Sequence, residues 1–209
     1  MKVIKASHEI LTQVNGDEIL KHIELCGRVC YKSEDKITQE SSRTFVANIL
    51  KRGHESVLEH YDISVRFICD RGVSHGIVRH RIASYSQEST RYVNYSAGKY
   101  GGDITLIKPL FFDDPSPMYA EWALSMQEAE NRYNQLISLG ASPQEARSVL
   151  PNSLKTEIIC TMNLREWRHF FKLRTAKAAH PQMQEVTIPL LAEFKQMVPV
   201  VFDDIEVGE

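Results

Sequence analysis

The stretch Tyr61-Asp62-Ile63-Ser64-Val65-Arg66-Phe67-Ile68-Cys69 decides the fold class. It alternates and is rich in β-branched and aromatic side chains, the pattern of a half-buried strand. Helical spacing follows almost at once, around Val73 to His80. On the N-terminal side, residues 2–6 read as a strand. Asn15 to Asp17 offers caps for a helix running to about Val29, and a second helix fits Ser41 to Lys51, closed by Gly53. On the C-terminal side, Arg91–Tyr95 and Ile104–Ile107 read as short strands around the loop 96–103. A long helix spans about Pro117 to Leu139, with Trp122, Met126, Ala129, Tyr133 and Leu136 on one face. Ser142-Pro143-Gln144-Glu145 is a capping box with proline at the first helical position. Lys155–Met162 is β-like, Leu164–Arg174 helical, and a last helix covers about Pro181 to Val198. Strands and helices mix without a regular βαβ rhythm, so the expected class is α+β. With no repeat and no flexible linker, residues 1–209 are expected to form a single domain.

Composition narrows the function. The 209 residues carry 25 Lys and Arg against 27 Asp and Glu, a formal charge of −2. That balance excludes a general duplex-coating protein, which needs a basic surplus. No apolar run approaches the length of a membrane span. The opening Met1–Ile10 lacks the apolar core of a signal peptide, so a cytoplasmic location with reduced thiols is expected for Cys26, Cys30, Cys69 and Cys160. Ile19, Ile23, Cys26 and Cys30 share one helical face, which makes the first two cysteines core residues and not a redox pair.

The ten glycines form neither G-x-G-x-x-G nor G-x-x-x-x-G-K-[ST], so any nucleotide must be held by side chains. Attention falls on Arg79-His80-Arg81-Ile82-Ala83-Ser84-Tyr85-Ser86-Gln87-Glu88-Ser89-Thr90-Arg91-Tyr92. From residue 71 to 99 the basic residues are Arg71, Arg79, Arg81, Arg91 and Lys99, against Glu88 alone. Guanidinium forks suit phosphate oxygens, and hydroxyls and amides suit a polar ring edge. A solvated basic face is the bland alternative. In the later helix Trp167, Phe170, Phe171 and Arg174 are spaced 3, 1 and 3, which puts Arg174 on the apolar face. There it needs an internal carboxylate or a bound anion. Arg165 and His169 are i,i+4 neighbours, and Arg147 adds a cation.

His54-Glu55-Ser56-Val57-Leu58-Glu59-His60 invites a metal site, but Leu58 stands where H-E-x-x-H needs its second histidine. If that segment is α-helical, His54 and His60 do not share a face. His75 and His80 lack a completing ligand set, so no metal is expected.

Arg79-His80-Arg81, followed after seven residues by Ser89, resembles the R-H-R-x7-S signature of the flavin-dependent thymidylate synthases. Gly53-His54-Glu55-Ser56, Arg147 before Leu150-Pro151, Asn163 followed by Arg165, and Leu173-Arg174 are similar to other segments of that family. The resemblance implies an α+β fold with a mixed sheet flanked by helices and no Rossmann unit. It implies methylation of dUMP to dTMP, with 5,10-methylenetetrahydrofolate as carbon donor and NADPH-reduced FAD as hydride source. It implies a homotetramer with shared active sites. By position, His54, Ser56, Arg79, His80, Arg81, Gln87, Asn163, Arg165 and His169 would hold FAD. Gln87, Glu88, Ser89, Thr90, Arg91, Arg147 and Arg174 would hold dUMP, with Arg174 catalytic. Two positions depart from the family: Gly76 stands where several members carry a longer polar residue, and the spacing from Arg174 to His180 is longer than expected. Read from the residues alone, a nucleotide-phosphate sensor using the same arginines and a metal hydrolase built on His54–His60 remain alternatives.

Overall fold

The computed structural model describes residues 1–96 and 103–208. Lys99 and most of the loop expected at 96–103 fall outside these. The strands are β1 (Lys2–Ile4), β2 (Ser7–Ile10), β3 (Asp62–Asp70), β4 (Ser84–Gln87), β5 (Thr105–Ile107) and β6 (Lys155–Asn163). The α-helices are α1 (Gly16–Val29), α2 (Ser41–Lys51), α3 (Arg71–Ile77), α4 (Pro117–Ser138), α5 (Pro143–Ala146), α6 (Leu164–Arg174), α7 (Pro181–Met197) and α8 (Pro199–Phe202). Glu34–Lys36, Glu55–His60 and Arg147–Val149 form 3-10 turns. β1 and β5 pair in parallel, and a four-stranded sheet has the order β2-β3-β6-β4. This is the α+β class that the sequence leads one to expect. Among the described residues no helix is long and apolar enough to cross a membrane.

The chain divides into two compact units, and the divisions fall within β2, β3, β4 and β6 and between Arg79 and His80. The first unit comprises Met1–Ser7, Phe67–Arg79 and Ser86–Ile158. Its core gathers Tyr95, Ile104, Leu106, Met126, Tyr133, Ala146 and Leu154. The Tyr95 and Tyr133 rings meet edge to face at 5.9 Å. Ser116 caps α4 by accepting from the Tyr119 N–H at 3.1 Å, and Pro117 follows where its missing N–H costs nothing.

The second unit comprises His8–Arg66, His80–Tyr85 and Ile159–Glu209. Its core is aromatic: Trp167, Phe170, Phe171, Phe194 and Phe202 are all fully buried. Trp167 stacks on Phe171 at 5.6 Å, and Phe171 meets Phe194 edge to face at 5.0 Å. The Trp167 indole N–H donates to the Ile63 carbonyl at 3.0 Å, so this large ring is buried with its one polar atom satisfied. Asn15 caps α1 by accepting from Asp17 and Glu18 N–H groups. Helix α2 ends in a Schellman turn: Gly53 has φ +71°, its N–H reaches Leu50 O at 2.9 Å, and the His54 N–H reaches Ile49 O at 2.9 Å.

Three local expectations are corrected. Arg91–Tyr95 is a turn and not a strand, because Ser89 Oγ accepts from the Arg91 N–H and Ser89 O from Tyr92 and Val93 N–H groups. A side chain able to close a turn on its own backbone competes with the ladder. The buried face of α1 is Ile19, Leu20, Ile23, Glu24 and Gly27; Cys26 is half-buried and Cys30 exposed. Gly27 lies so close to Phe45 that a Cβ there would sit 2.7 Å from its ring, and this approach turns the stripe away from the cysteines. Finally, Glu55–His60 is a 3-10 turn, in which the α-helical argument separating His54 from His60 does not apply.

Candidate functional site

Helix α6 organises the second unit's polar centre. Asn163 starts it, its side chain accepting from the Glu166 N–H at 2.9 Å. The cap leaves Glu166 nearly buried at the third helical position. Its Oε1 lies 3.1 Å from Nδ1 of His80, which is only 4% exposed. The opposite nitrogen, Nε2, accepts from Arg174 Nε at 3.0 Å. The imidazole also meets Phe170 edge to face at 4.8 Å, and its backbone carbonyl accepts from the Tyr85 hydroxyl at 2.6 Å. Burial, then the charge of Arg174, pushes the His80 pKa down to about 4. Burial pushes Glu166 up. His80 is therefore neutral at ordinary pH, and its contact with Glu166 is a hydrogen bond and not an ion pair.

The sequence marks Arg174 as the arginine of the apolar face. The structure divides that expectation. Arg174 is only part-buried, whereas Arg168 is 3% exposed. Arg168 is held by Asp204 through two contacts of 2.6 Å, by the Val201 carbonyl, and by Glu55 at 3.4 Å. Asp204 is held below the usual carboxylate range by that guanidinium. The buried guanidinium of Arg168 thus has its carboxylate partner in Asp204, which reaches it from the surface.

A groove of about 480 Å³ in the same unit is lined by Asn163, Arg165 and His169 of the expected flavin set, with Glu59, Ile82 and Lys172 among its other walls. Arg165 pairs with Glu59 at 2.6 Å. Arg81 is exposed. His54 lines a second groove of about 460 Å³ with Arg28, Tyr31, Phe45 and Arg52. Ser56 is exposed on the 3-10 turn. Arg79 and Gln87, the remaining two of that set, belong to the first unit.

The first unit holds the other nucleotide candidates. Gln87 Nε2 donates to Ser74 Oγ at 2.9 Å and to Thr156 Oγ1 at 3.2 Å. The Glu88 carboxylate accepts from the Tyr95 hydroxyl and from Lys155 Nζ, both at 2.9 Å. Glu88 is thus engaged within its own unit. Ser89 and Thr90 follow in the turn, Arg91 lies over the Tyr92 ring at 5.3 Å, and Arg147 is exposed.

Among the described residues, one group offers three potential metal-binding side chains whose donor atoms lie within 4.8 Å: His80, Glu166 and His169. Both ring nitrogens of His80 are already engaged, by Glu166 and by Arg174, and His169 meets it only ring to ring at 5.6 Å. Burial pushes the thiols of the two strand cysteines, Cys69 and Cys160, each up to about 12, which disfavours the nucleophilic thiolate. Glu166 is the centre's residue that sequence reasoning missed. Its signal was Asn163-x-x-Glu166, which reads as helix capping.

Comparison with known proteins gives a consistent family. The profile described as "Thymidylate synthase complementing protein" matches residues 11–200. A protein of Geobacter sulfurreducens named flavin-dependent thymidylate synthase is 34% identical over 190 residues, covering 87% of this chain and 80% of that one. One of the same name from Pyrococcus furiosus is 36% identical over 173 residues, covering 82% and 70%. A crystal structure of the UMP/dUMP methylase PolB from Streptomyces cacaoi, bound with 5-Br dUMP, superposes with a TM-score of 0.80 over 97% of this chain and 96% of its own. At 20% identity that likeness speaks for the fold. The fold, the profile match and the relatives together establish that the chain belongs to the flavin-dependent thymidylate synthase family.

Proposed function

We propose that the chain converts dUMP to dTMP, taking the one-carbon unit from 5,10-methylenetetrahydrofolate and the hydride from FAD reduced by NADPH. The observation that carries this reading is the bond between Arg174 and His80, which joins the helix arginine to the R-H-R segment. The residues present fit a flavin dinucleotide. Arg79 and Arg81 are exposed and have no ion pair among the described residues, the state a diphosphate requires of its partners. Asn163, Arg165 and His169 wall a groove with the apolar Ile82. His54, Ser56 and Gln87 complete the proposed set of side chains, and His80, whose ring is buried and engaged at both nitrogens, belongs to it by its place between Arg79 and Arg81. When bound, the flavin supplies the hydride.

On this reading Ser89, Thr90, Arg91, Arg147 and the Gln87–Glu88 segment hold dUMP, and Arg174 faces the uracil edge. A guanidinium does not act as a base, since its pKa exceeds about 12. It stabilises the negative charge that develops as N3–H ionises, which raises the nucleophilicity of C5. No covalent enzyme intermediate is required. The working form is a homotetramer in the cytoplasm, with sites completed by more than one chain. Ile82 in one unit and Tyr92 in the other are exposed apolar side chains, which supports interfaces with further copies of the chain.

The test is release of tritium from C5-labelled dUMP with FAD, NADPH and methylenetetrahydrofolate present. Release coupled to dTMP formation is expected. A folded, flavin-loaded protein that releases none overturns the reading.

A further inference from the structure

We propose that Glu166 and His80 are positioning residues for Arg174: the Glu166 carboxylate selects the Nδ1–H tautomer of His80, so that Nε2 accepts from Arg174 Nε and sets the plane of the guanidinium. The inference rests on the reading of Arg174 given above and assigns it a support that family membership alone does not supply.

The donor chemistry allows one arrangement. A guanidinium has five N–H donors and no acceptor. The 3.0 Å contact from Arg174 Nε therefore requires a lone pair on His80 Nε2. A neutral imidazole with a lone pair on Nε2 carries its proton on Nδ1. That proton points at Glu166 Oε1, 3.1 Å away. The other tautomer would set N–H against N–H on one side and lone pair against carboxylate on the other. The neutral ring is secured by its surroundings: it is 4% exposed, with the Arg174 guanidinium at one nitrogen and the His169 ring 5.6 Å away.

The remainder of the scaffold holds this chain still. Phe170 packs against the ring at 4.8 Å, and the Tyr85 hydroxyl fixes the His80 backbone at 2.6 Å. The Glu166 N–H is tied to the Asn163 cap at 2.9 Å. At the far end the Thr187 hydroxyl lies 2.9 Å from both the Arg174 and the Met183 carbonyls, which its one proton serves in common, beside the residue's backbone at the end of α6. Engaging Nε sets the orientation of the Nη groups beyond it. A planar fork delivers its bonds only within its own plane, so orientation matters more here than charge.

The experiment uses the FAD-loaded enzyme with Glu166→Leu and Glu166→Gln. Leucine removes the acceptor. In that variant kcat for dTMP formation is expected to fall about 10- to 100-fold, the cost of a misplaced catalytic group, with the KM for dUMP changed far less. Glutamine keeps an oxygen able to accept from Nδ1, and is expected to restore kcat to within about threefold of the parent. The direct readout is 15N NMR of histidine-labelled holoenzyme, with the His80 signals identified by their loss in His80→Gln. The parent and Glu166→Gln should give the Nδ1–H pattern, and Glu166→Leu a tautomer mixture. An Nε2–H pattern in the parent overturns the proposal, as does a Glu166→Leu enzyme within twofold of parental kcat. Should Glu166→Leu not fold, the parent spectrum and the recovery in Glu166→Gln decide. Glu166→Gln falling far below the parent would mean that carboxylate charge, and not tautomer selection, is what Arg174 needs. A parent that shows the Nδ1–H pattern yet makes no dTMP would overturn the proposed reaction while leaving the tautomer assignment standing.

Discussion

Replacing Arg174 with lysine keeps the charge and removes the fork. The ammonium is a point donor and cannot hold His80 and a uracil edge in one plane. Arg174→Lys is expected to lose roughly 10²- to 10³-fold in kcat, the range for removal of a preorganised electrostatic donor. Near-normal tritium release in that variant would make Arg174 a structural residue. Ser89 calls for the opposite expectation. Its Oγ accepts from the Arg91 N–H at 3.3 Å, and among the described residues no histidine or carboxylate is hydrogen-bonded to it. An unactivated hydroxyl is a poor nucleophile at neutral pH. Ser89→Ala should keep measurable turnover with dUMP binding weakened about 5- to 150-fold, the cost of a lost ligand hydrogen bond. Complete loss in a folded variant that still binds dUMP and FAD would refute this. His80 makes a third prediction, on stability. Its folded pKa of about 4 lies below its ordinary 6.5. The unfolded chain therefore binds the proton more readily, and the contribution is fully present above pH 6.5 and is lost as pH falls toward 4. The upper bound is about 3 kcal/mol. Glu166, pushed up, opposes part of it. Denaturant midpoints between pH 4.5 and 7 should rise more steeply in the parent than in His80→Gln; equal slopes would contradict the assignment.

At the scale of elements, the end of α2 carries a prediction of its own. Gly53 at φ +71° turns the chain so that His54 enters the next segment. A side chain in this left-handed conformation costs roughly 1–2 kcal/mol. Gly53→Ala should lower stability by about that amount in thermal unfolding, and no loss would mean the turn relaxes freely. The same elements explain what could be read beforehand. Helices α2 and α6 stand where the sequence puts them, because periodicity agrees with the Gly53 turn that ends α2 and with the Asn163 cap that starts α6. Strand β4 was not legible: Ser84-Tyr85-Ser86-Gln87 is polar, and only its pairing with β6 at the edge of the sheet makes it a strand. The motif arginines and His80 were legible from local pattern. Glu166 was hidden as a cap residue, and Arg168 because Asp204, which neutralises it, lies 36 residues away.

For the molecule as a whole, sedimentation of the flavin-loaded enzyme should give a species near four times the 23.9 kDa chain mass. Subunits inactivated at Arg79 and at Arg174 should regain some activity when mixed; an active monomer would refute the shared-site arrangement. Tertiary organisation imposes one more condition, on how the protein comes into being. Each compact unit is assembled from three separated stretches of chain, and β3 must wait for β6 before the sheet closes. During synthesis neither unit has its full set of segments until Ile158 has emerged, and Phe170, Phe194 and Phe202 arrive later still. Pairing between strands so far apart in sequence is slow and leaves apolar surface open meanwhile. A nascent chain stalled before β6 is therefore a substrate for chaperones and proteases, and fragments ending there should be recovered as aggregates, not as folded half-proteins.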